Sequence, residues 1–139
     1  LIEPEEQEME IPDVEFSSII NLPSTDFQKI VRDQSNISDR IEIKSVGNEL
    51  IFKCRGPFAE SEIIRGESDA STEFIKNTNK SKIIQGEFSL KNLGYFIKCT
   101  NLCGSIEMYL ENDLPLIVKY AVASLGTIKL CLAPLPCTN

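Results

Sequence analysis

Apolar and polar residues alternate along most of the chain with the period of two that is typical of half-buried antiparallel strands. Ile41 and Ile43 show the pattern, and Gly47-Asn48 supplies turn chemistry between two such segments. The alternation predicts strands at residues 14–21, 40–45, 49–54, 60–66, 83–88, 105–110, 116–121 and 127–132. The polar segment 68–81 lacks this alternation, so we expect a loop there.

Two further segments show the spacing of an amphipathic helix, in which apolar residues recur every three or four positions. We expect the first from Ser24, its N-cap, to about residue 35, and the second from Ser89, also an N-cap, to about residue 99. At about 100° per residue, each helix gathers its apolar residues on one side. These are Phe27, Ile30 and Val31 on the first helix and Leu93, Phe96 and Ile97 on the second. The opposite sides carry Lys29, Arg32 and Asn36 on the first helix, and Lys91 and Lys98, with Tyr95 near them, on the second.

The order of the elements repeats once along the chain. Residues 27–32 match residues 93–98 in apolar and basic positions at an offset of 66, and residues 41–43 match 106–108 at an offset of 65. Residues 50–54 match 116–120, again at an offset of 66. Successive matches at nearly one offset predict an α+β fold of two βαβββ units with antiparallel sheets, at about residues 13–67 and 82–134.

The charge of the chain is unevenly distributed. The formal net charge is −7, but residues 1–28 hold eight of the 21 acidic residues and none of the 14 lysines and arginines. Residues 1–12 contain two prolines and no periodic apolar positions, so we expect a solvated linker or a solubilising tail. The helices are cationic or neutral on their exposed sides. Such faces suit non-specific contact with a phosphate backbone, although lysines on a solvent-exposed helix face are also ordinary.

The composition excludes most kinds of catalytic site. The chain contains no histidine, which excludes Ser-His-Asp and Cys-His catalysis and most catalytic zinc sites. Its five cysteines form no Cys-x-x-Cys pair, and we expect Cys54, Cys99 and Cys131 to be buried free thiols. We predict no metal, no cofactor and no enzyme activity; an enzyme would have to use Cys103 or a pair of carboxylates, without a base at a suitable spacing. Since no apolar run approaches the ~20 residues of a membrane span, we predict no membrane partner.

Three segments carry a resemblance to a known family. Residues 11–39, with Leu22-Pro23-Ser24 and the run from Arg32 to Ile37, look like the start of the second domain of proliferating cell nuclear antigen, the eukaryotic and archaeal sliding clamp. Residues 113–120 (DLPLIVKY) and 132–134 (LAP) resemble the end of that domain. A basic segment at 77–82, Cys131 in place of an aromatic residue and a tail without acids indicate a divergent member, protist or viral.

The resemblance implies a sliding-clamp domain at residues 13–139, preceded by an interdomain connector at residues 1–12. In the family, two-domain subunits close head to tail into a ring around duplex DNA, with sheets outside and helices lining the hole. The DNA-facing set would then be Lys29, Arg32, Asn36, Lys91 and Lys98. The groove that docks short motifs of partner proteins would comprise Met9, Ile11, Pro12, Leu114, Pro115, Cys131, Ala133 and Pro134. The subunit-contact edge would comprise Glu62, Ile63, Ile64 and Arg65.

The expected partners follow from the same resemblance. They are the backbone of duplex DNA, DNA polymerase and other proteins with clamp-binding motifs, a clamp loader, and further copies of the full-length protein in a ring. The expected location is the nucleus, or the site of viral DNA replication. The alternative is a protein-interaction module of the same doubled fold that does not encircle DNA. Because the chain begins at Leu1 and not at a methionine, we expect a fragment that is monomeric or weakly self-associating and binds DNA poorly by itself.

Overall fold

The computed structural model describes residues 16–66, 72–77, 83–98, 104–122 and 126–136. These residues form nine strands and two helices. In chain order they are β1 (Ser18–Pro23), α1 (Ser24–Ser35), β2 (Arg40–Val46), β3 (Glu49–Arg55), β4 (Glu60–Gly66), β5 (Glu73–Asn77), β6 (Ile84–Ser89), α2 (Leu90–Ile97), β7 (Ser105–Leu110), β8 (Leu116–Val122) and β9 (Gly126–Leu132). Neither helix in the described ranges is long and apolar enough to cross a lipid bilayer.

A strand lies at each of the eight predicted places, although the first spans Ser18–Pro23 and not residues 14–21, of which 14 and 15 lie outside the described ranges. The predicted loop at residues 68–81 is wrong in part. It contains β5, which lies at the edge of its sheet and pairs with β1. Backbone hydrogen bonds to β1 hold this strand, so few apolar side chains are needed. Phe74 packs against the core, whereas Ile75 is 49 % exposed. A short edge strand of this kind lacks the apolar alternation that marks the other strands.

The two helices begin differently, and one predicted cap is wrong. Ser89 caps α2 as predicted, since its Oγ accepts a hydrogen bond from the Asn92 N–H at 3.1 Å. Ser24 is instead the first residue of α1 and is buried, with its N–H donating to the Gly104 carbonyl at 3.0 Å. Pro23 occupies the N-cap position, and its side chain has no acceptor to offer. A tertiary contact with the residue before β7 therefore helps to define where α1 starts.

Each repeated unit contributes its first strand to the sheet of the other unit. One sheet has the order β5-β1-β7-β8-β9 and the other the order β4-β3-β2-β6. β1 pairs with β7 of the second unit, and β6 pairs with β2 of the first, both antiparallel. The predicted repeat is confirmed, because β1, α1 and β4 each begin 66 residues before β6, α2 and β9. The exchange of strands makes the two units one interlocked domain.

The two helices lie side by side on one side of the sheets. They pack against each other and share a single apolar cluster with the inner faces of both sheets. Phe27 and Leu93 are fully buried in this cluster, and the Phe96 ring meets Tyr120 edge-on with centroids 5.5 Å apart. Burial of each such side chain contributes about 1.5–3 kcal/mol. This core fixes which helix residues face outward.

The free edge of β6 is covered by elements of the other sheet. The Asn112 side chain, between β7 and β8, accepts from the Gln85 N–H at 2.8 Å and donates to the Ile83 carbonyl at 3.0 Å. Two residues farther along, the Glu87 carbonyl accepts from the Leu135 N–H at 2.8 Å. These bonds satisfy backbone groups that could otherwise pair with another strand. β4, at the opposite edge of the same sheet, has β3 as its one neighbour among the described strands.

Two of the cysteines predicted to be buried, Cys54 and Cys131, lie in the described ranges, and the prediction is confirmed for the first. Cys54 is a buried free thiol, and burial raises its pKa, partly offset by a hydrogen bond with the Ser61 backbone. Cys131 is a free thiol but is exposed, so the prediction that it is buried is wrong. It lies on β9, where Leu130 and Leu132 on either side are half-buried and pack against the core, and alternation turns Cys131 to the opposite face. Outside the described residues lie Cys99, Cys103 and Cys137.

Candidate nucleic-acid and partner interfaces

The exposed face of α1 carries the predicted cations. Lys29 and Arg32 are exposed, while Phe27, Ile30 and Val31 on the other side are buried, as the helical spacing predicts. Arg32 lies in the last turn of the helix, where a positive charge interacts favourably with the helix dipole. The last predicted member of the set on this helix is Asn36, which is exposed at the C-cap position.

The exposed face of α2 is also cationic. Lys91 and Lys98 are exposed, and Tyr95, between them in sequence, is 57 % exposed. The Lys98 Nζ lies 5.8 Å from the centroid of the Tyr95 ring, a cation–π arrangement. No acidic residue lies between Leu90 and Ile97. Since α1 packs against α2, the two cationic faces belong to the same layer of the domain.

One of the two acidic residues of α1 is paired with a cation on β4. The Asp26 carboxylate lies 3.9 Å from the Arg65 guanidinium, and both side chains are about one-third exposed. Asp33, the other acid, is exposed. The ion pair offsets one negative charge of the helix. Lys29 and Arg32 are the cations on the exposed face of α1. That they contact DNA remains a prediction.

The described part of the predicted docking groove comes from two chain segments that lie side by side. Leu116 of β8 is the register partner of Leu132 of β9, so the antiparallel pairing brings the residues before β8 next to those after β9. Leu114 and Pro115 are half-buried before β8. On the other segment, Cys131, Ala133 and Pro134 are exposed. The other predicted groove residues, Met9, Ile11 and Pro12, lie outside the described residues.

The predicted subunit-contact edge lies on β4, an edge strand. Its partner is β3, with Ile64 opposite Ile51 and Ile63 opposite Phe52. Ile64 is 46 % exposed, and Glu62 is exposed. Arg65 is half-buried and lies beside Asp26. An edge strand with one neighbour and an exposed isoleucine is suited to pair with another chain, and that role remains a prediction.

The sequence did not reveal Gln34, a fully buried polar residue on α1. Its Nε2 donates to the Phe52 carbonyl at 3.1 Å and to the Ser61 Oγ at 3.4 Å. These bonds connect the helix to β3 and β4. Helical spacing could have found it, because Gln34 lies four residues after Ile30 and three after Val31, on the buried side of α1. The repeat is of no help, because the offset of 66 leads from Gln34 to Thr100.

Two repeat-related clefts on the outer faces of the sheets were also missed. One, of about 340 Å³, is lined by residues that include Ser38, Arg40, Glu42, Lys53, Arg55 and Glu87. The other, of about 320 Å³, is lined by residues that include Asn21, Glu107, Lys119, Tyr120 and Thr127. Glu42 faces Lys53 across the first, and Glu107 faces Lys119 across the second.

No group of three or more metal-ligating side chains occurs in the described ranges.

The fold and its surfaces define a domain of the sliding-clamp type, with paired helices on one side of two antiparallel sheets. The chain belongs to the proliferating cell nuclear antigen family, since the model of that family's C-terminal domain matches residues 10–135. The family and fold expected from the sequence are therefore confirmed.

Relatives and a solved structure agree with this assignment. The chain is 37 % identical over 139 residues to a probable DNA polymerase sliding clamp 1 of Paramecium bursaria Chlorella virus 1, covering 97 % of this chain and 52 % of the viral protein. It is 36 % identical over 128 residues to a probable DNA polymerase sliding clamp of Acanthamoeba polyphaga mimivirus. That match covers 92 % of this chain and 27 % of the mimivirus protein. The crystal structure of proliferating cellular nuclear antigen from Entamoeba histolytica superimposes with a TM-score of 0.80 at 27 % identity, covering 96 % of this chain and 52 % of that one. The chain thus spans about half, or less, of the length of the proteins it matches.

Proposed function

We propose that the chain is the C-terminal domain of a DNA sliding clamp, a polymerase processivity factor that encircles duplex DNA as a ring. The observation that carries the proposal is the cationic surface of the two packed, repeat-related helices. Lys29 and Arg32 on α1, Lys91 on α2 and Lys98 at the C-cap of α2 are all exposed, in a chain whose formal net charge is −7. The family assignment supports the same function.

The proposed mechanism depends on enclosure and requires no catalytic group. A few contacts between lysine or arginine side chains and phosphates are weak and depend strongly on salt concentration. A closed ring converts such contacts into long residence, because it leaves the DNA only by opening or by sliding off an end. Contacts that are few and solvated allow the ring to slide. A polymerase tethered to the ring gains a high local concentration at the DNA, which raises processivity. The clamp itself is accordingly not an enzyme.

The proposed organisation assigns residues 1–12 to the connector between two domains and residues 13–139 to the clamp domain. The connector and the segments beside Leu114 and Ala133 form the docking groove for DNA polymerase and other replication and repair proteins. A clamp loader opens and closes the ring. The exposed edge of β4 around Ile64 contacts the next subunit of the full-length protein. The protein acts in the nucleus or at the site of viral DNA replication.

Retention on circular DNA tests the proposal. The full-length protein is loaded by its loader onto nicked circular duplex DNA, and the complex is separated from free protein by gel filtration at moderate salt. We expect retention on the circle and loss after the circle is cut with a restriction enzyme. When bulky proteins bound on both sides of the cleavage site before cutting block the new ends, we expect the protein to stay on the cut DNA. Equal retention on circular and linear DNA, or none on either, would contradict a ring and favour a protein-interaction module of the same fold.

A further inference from the structure

The C-terminal segment 133–136 connects the edges of the two sheets. It follows β9 in one sheet and reaches β6 in the other, where the Leu135 N–H donates to the Glu87 carbonyl at 2.8 Å. The next residue is held as well, because the Pro136 carbonyl accepts a hydrogen bond from the Arg40 guanidinium. Two consecutive residues of the segment are thus bound to β6 and β2. The segment includes Ala133 and Pro134 of the predicted docking groove.

Arg40 is bound at the same time by Glu87. Both its Nε and its Nη2 lie 2.8 Å from the Glu87 Oε1, and the two side chains are 33 % and 30 % exposed. Charge-assisted hydrogen bonds of this kind are stronger than neutral ones and orient the planar guanidinium. The guanidinium therefore points at the Pro136 carbonyl in a fixed direction. We call this set of three residues, Arg40, Glu87 and Pro136, the latch.

Arg40 offsets the repulsion between Glu87 and a neighbouring carboxylate. Glu87 lies directly opposite Glu42 in the pairing of β6 with β2, and like charges in that arrangement repel. Glu42 has two cations near it, since Lys53 is its register partner on β3 and the Lys44 Nζ lies 3.9 Å from its carboxylate. The cation bonded to Glu87 in the described structure is Arg40. Loss of Arg40 would therefore leave Glu87 facing Glu42 without its ion-pair partner.

We infer that Arg40, oriented by Glu87, is a positioning residue that holds the C-terminal segment in place as a preformed wall of the docking groove. The inference rests on the proposed function, because it assumes that partners bind beside Ala133 and Pro134. A groove whose wall is already ordered binds a peptide more tightly, since less conformational freedom is lost on binding. The ligand is a short peptide with an apolar residue and a pair of aromatic residues. Arg40 itself does not have to touch that peptide.

Two measurements on the full chain test the inference. The first is the rate of hydrogen exchange at residues 133–136, where the Leu135 N–H reports on the segment directly. The second is the affinity for a fluorescent peptide carrying the clamp-binding motif. In Arg40→Gln we expect exchange at Leu135 to accelerate and peptide affinity to fall, each by about tenfold, the effect of losing the charge-assisted hydrogen bond to Pro136. In Glu87→Gln, which removes the charge that orients Arg40 but keeps an acceptor, we expect a smaller change in the same direction. Arg55→Gln is the matched control, since Arg55 lines the same cleft, is 72 % exposed and pairs with Glu60 instead.

The outcomes separate this inference from the proposed function. Unchanged exchange at Leu135 in both latch variants would show that the latch does not hold the segment, whatever the peptide does. Faster exchange with unchanged peptide affinity would remove the positioning role while leaving the docking groove intact. A wild-type chain that binds no peptide would contradict both the groove and the positioning role. Should Arg40→Gln fail to fold, Glu87→Gln, which keeps an acceptor for Arg40, supplies the same two readouts.

Discussion

The Arg65 guanidinium on β4 lies 3.9 Å from the Asp26 carboxylate on α1. The pair connects the strand proposed to contact the next subunit with the helix proposed to face DNA. A partly exposed pair at this distance contributes at most about 1 kcal/mol to stability. Its larger effect is electrostatic, because Arg65 offsets a negative charge on the helix that carries Lys29 and Arg32.

Removal of Arg65 should therefore weaken DNA binding more than it lowers stability. In the full-length protein we expect Arg65→Ala to bind duplex DNA a few-fold more weakly at low salt, with the difference disappearing at high salt. Addition of Asp26→Asn should restore the affinity, since the unpaired carboxylate is then removed. Arg55→Ala is the control, because that arginine pairs with Glu60 at the other end of β4 and not with an acid of the helix. Titration of labelled duplex at several salt concentrations measures the effect, and a loss that persists at high salt would indicate a structural cause.

Neutralising the helix cations should change the salt dependence of DNA binding. Each cation that contacts a phosphate contributes about one unit to the slope of log K against log salt. The double variant Arg32→Ala/Lys98→Ala should therefore lower the slope by about two in the full-length protein. Lys53→Ala is the control, because Lys53 lies in the cleft on the outer face of the sheet. An unchanged slope in the double variant, or an equal change in the control, would contradict the proposed DNA-facing surface.

A charge placed on the β4 edge should disrupt self-association of the full-length protein. Ile64 is 46 % exposed on β4, and an aspartate there would be desolvated and unpaired in a subunit contact. We expect Ile64→Asp to shift the oligomer toward monomer in sedimentation experiments. Ile75→Asp offers a matched control, since Ile75 is 49 % exposed on β5, the edge strand of the other sheet. If Ile75→Asp dissociates the oligomer and Ile64→Asp does not, the subunit contact involves β5, which would contradict the contact proposed for β4.

The local features of the fold could be predicted from the sequence because each depends on periodicity. Alternation identifies β2 and β3, whose inner faces carry Ile41 and Phe52. Spacing of 3.6 residues identifies the buried and exposed sides of both helices, including Arg32 and Lys98. The repeat identifies two units, but it cannot say that they exchange their first strands. Pairing of β1 with β7 joins residues far apart in the chain, such as Asn21 and Glu107, and no local pattern specifies it.

The features that were missed depend on tertiary contacts. The start of α1 involves a hydrogen bond from Ser24 to Gly104, so the usual serine cap is absent. The buried Gln34 amide on α1 is satisfied by the Phe52 carbonyl on β3. The latch needs Arg40 and Pro136, far apart in the chain, to meet at β6. In each case the deciding partner is distant in sequence. Helical spacing places Gln34 on the buried side of α1, but it does not identify the Phe52 carbonyl as the acceptor.

The two described cysteines should differ in reactivity. Burial raises the pKa of the Cys54 thiol, so the reactive thiolate is disfavoured there, and the side chain is also inaccessible. Cys131 is exposed. We expect a maleimide at neutral pH to label Cys131 in the folded chain and Cys54 only after denaturation. Peptide mapping by mass spectrometry locates the adducts, and labelling of Cys54 as fast as Cys131 would contradict its burial.

The same raised pKa makes stability depend on pH. In the unfolded chain the Cys54 thiol ionises at its ordinary pKa, while burial makes the folded chain hold the proton to higher pH. Between these two values the folded state binds more protons, so the free energy of unfolding falls as pH rises. Below about pH 8 the contribution is fully present. Urea denaturation of wild type and Cys54→Ala between pH 7 and 10 measures it: the difference in stability between them should shrink as pH rises, and a constant difference would show that ionisation of Cys54 is not linked to folding.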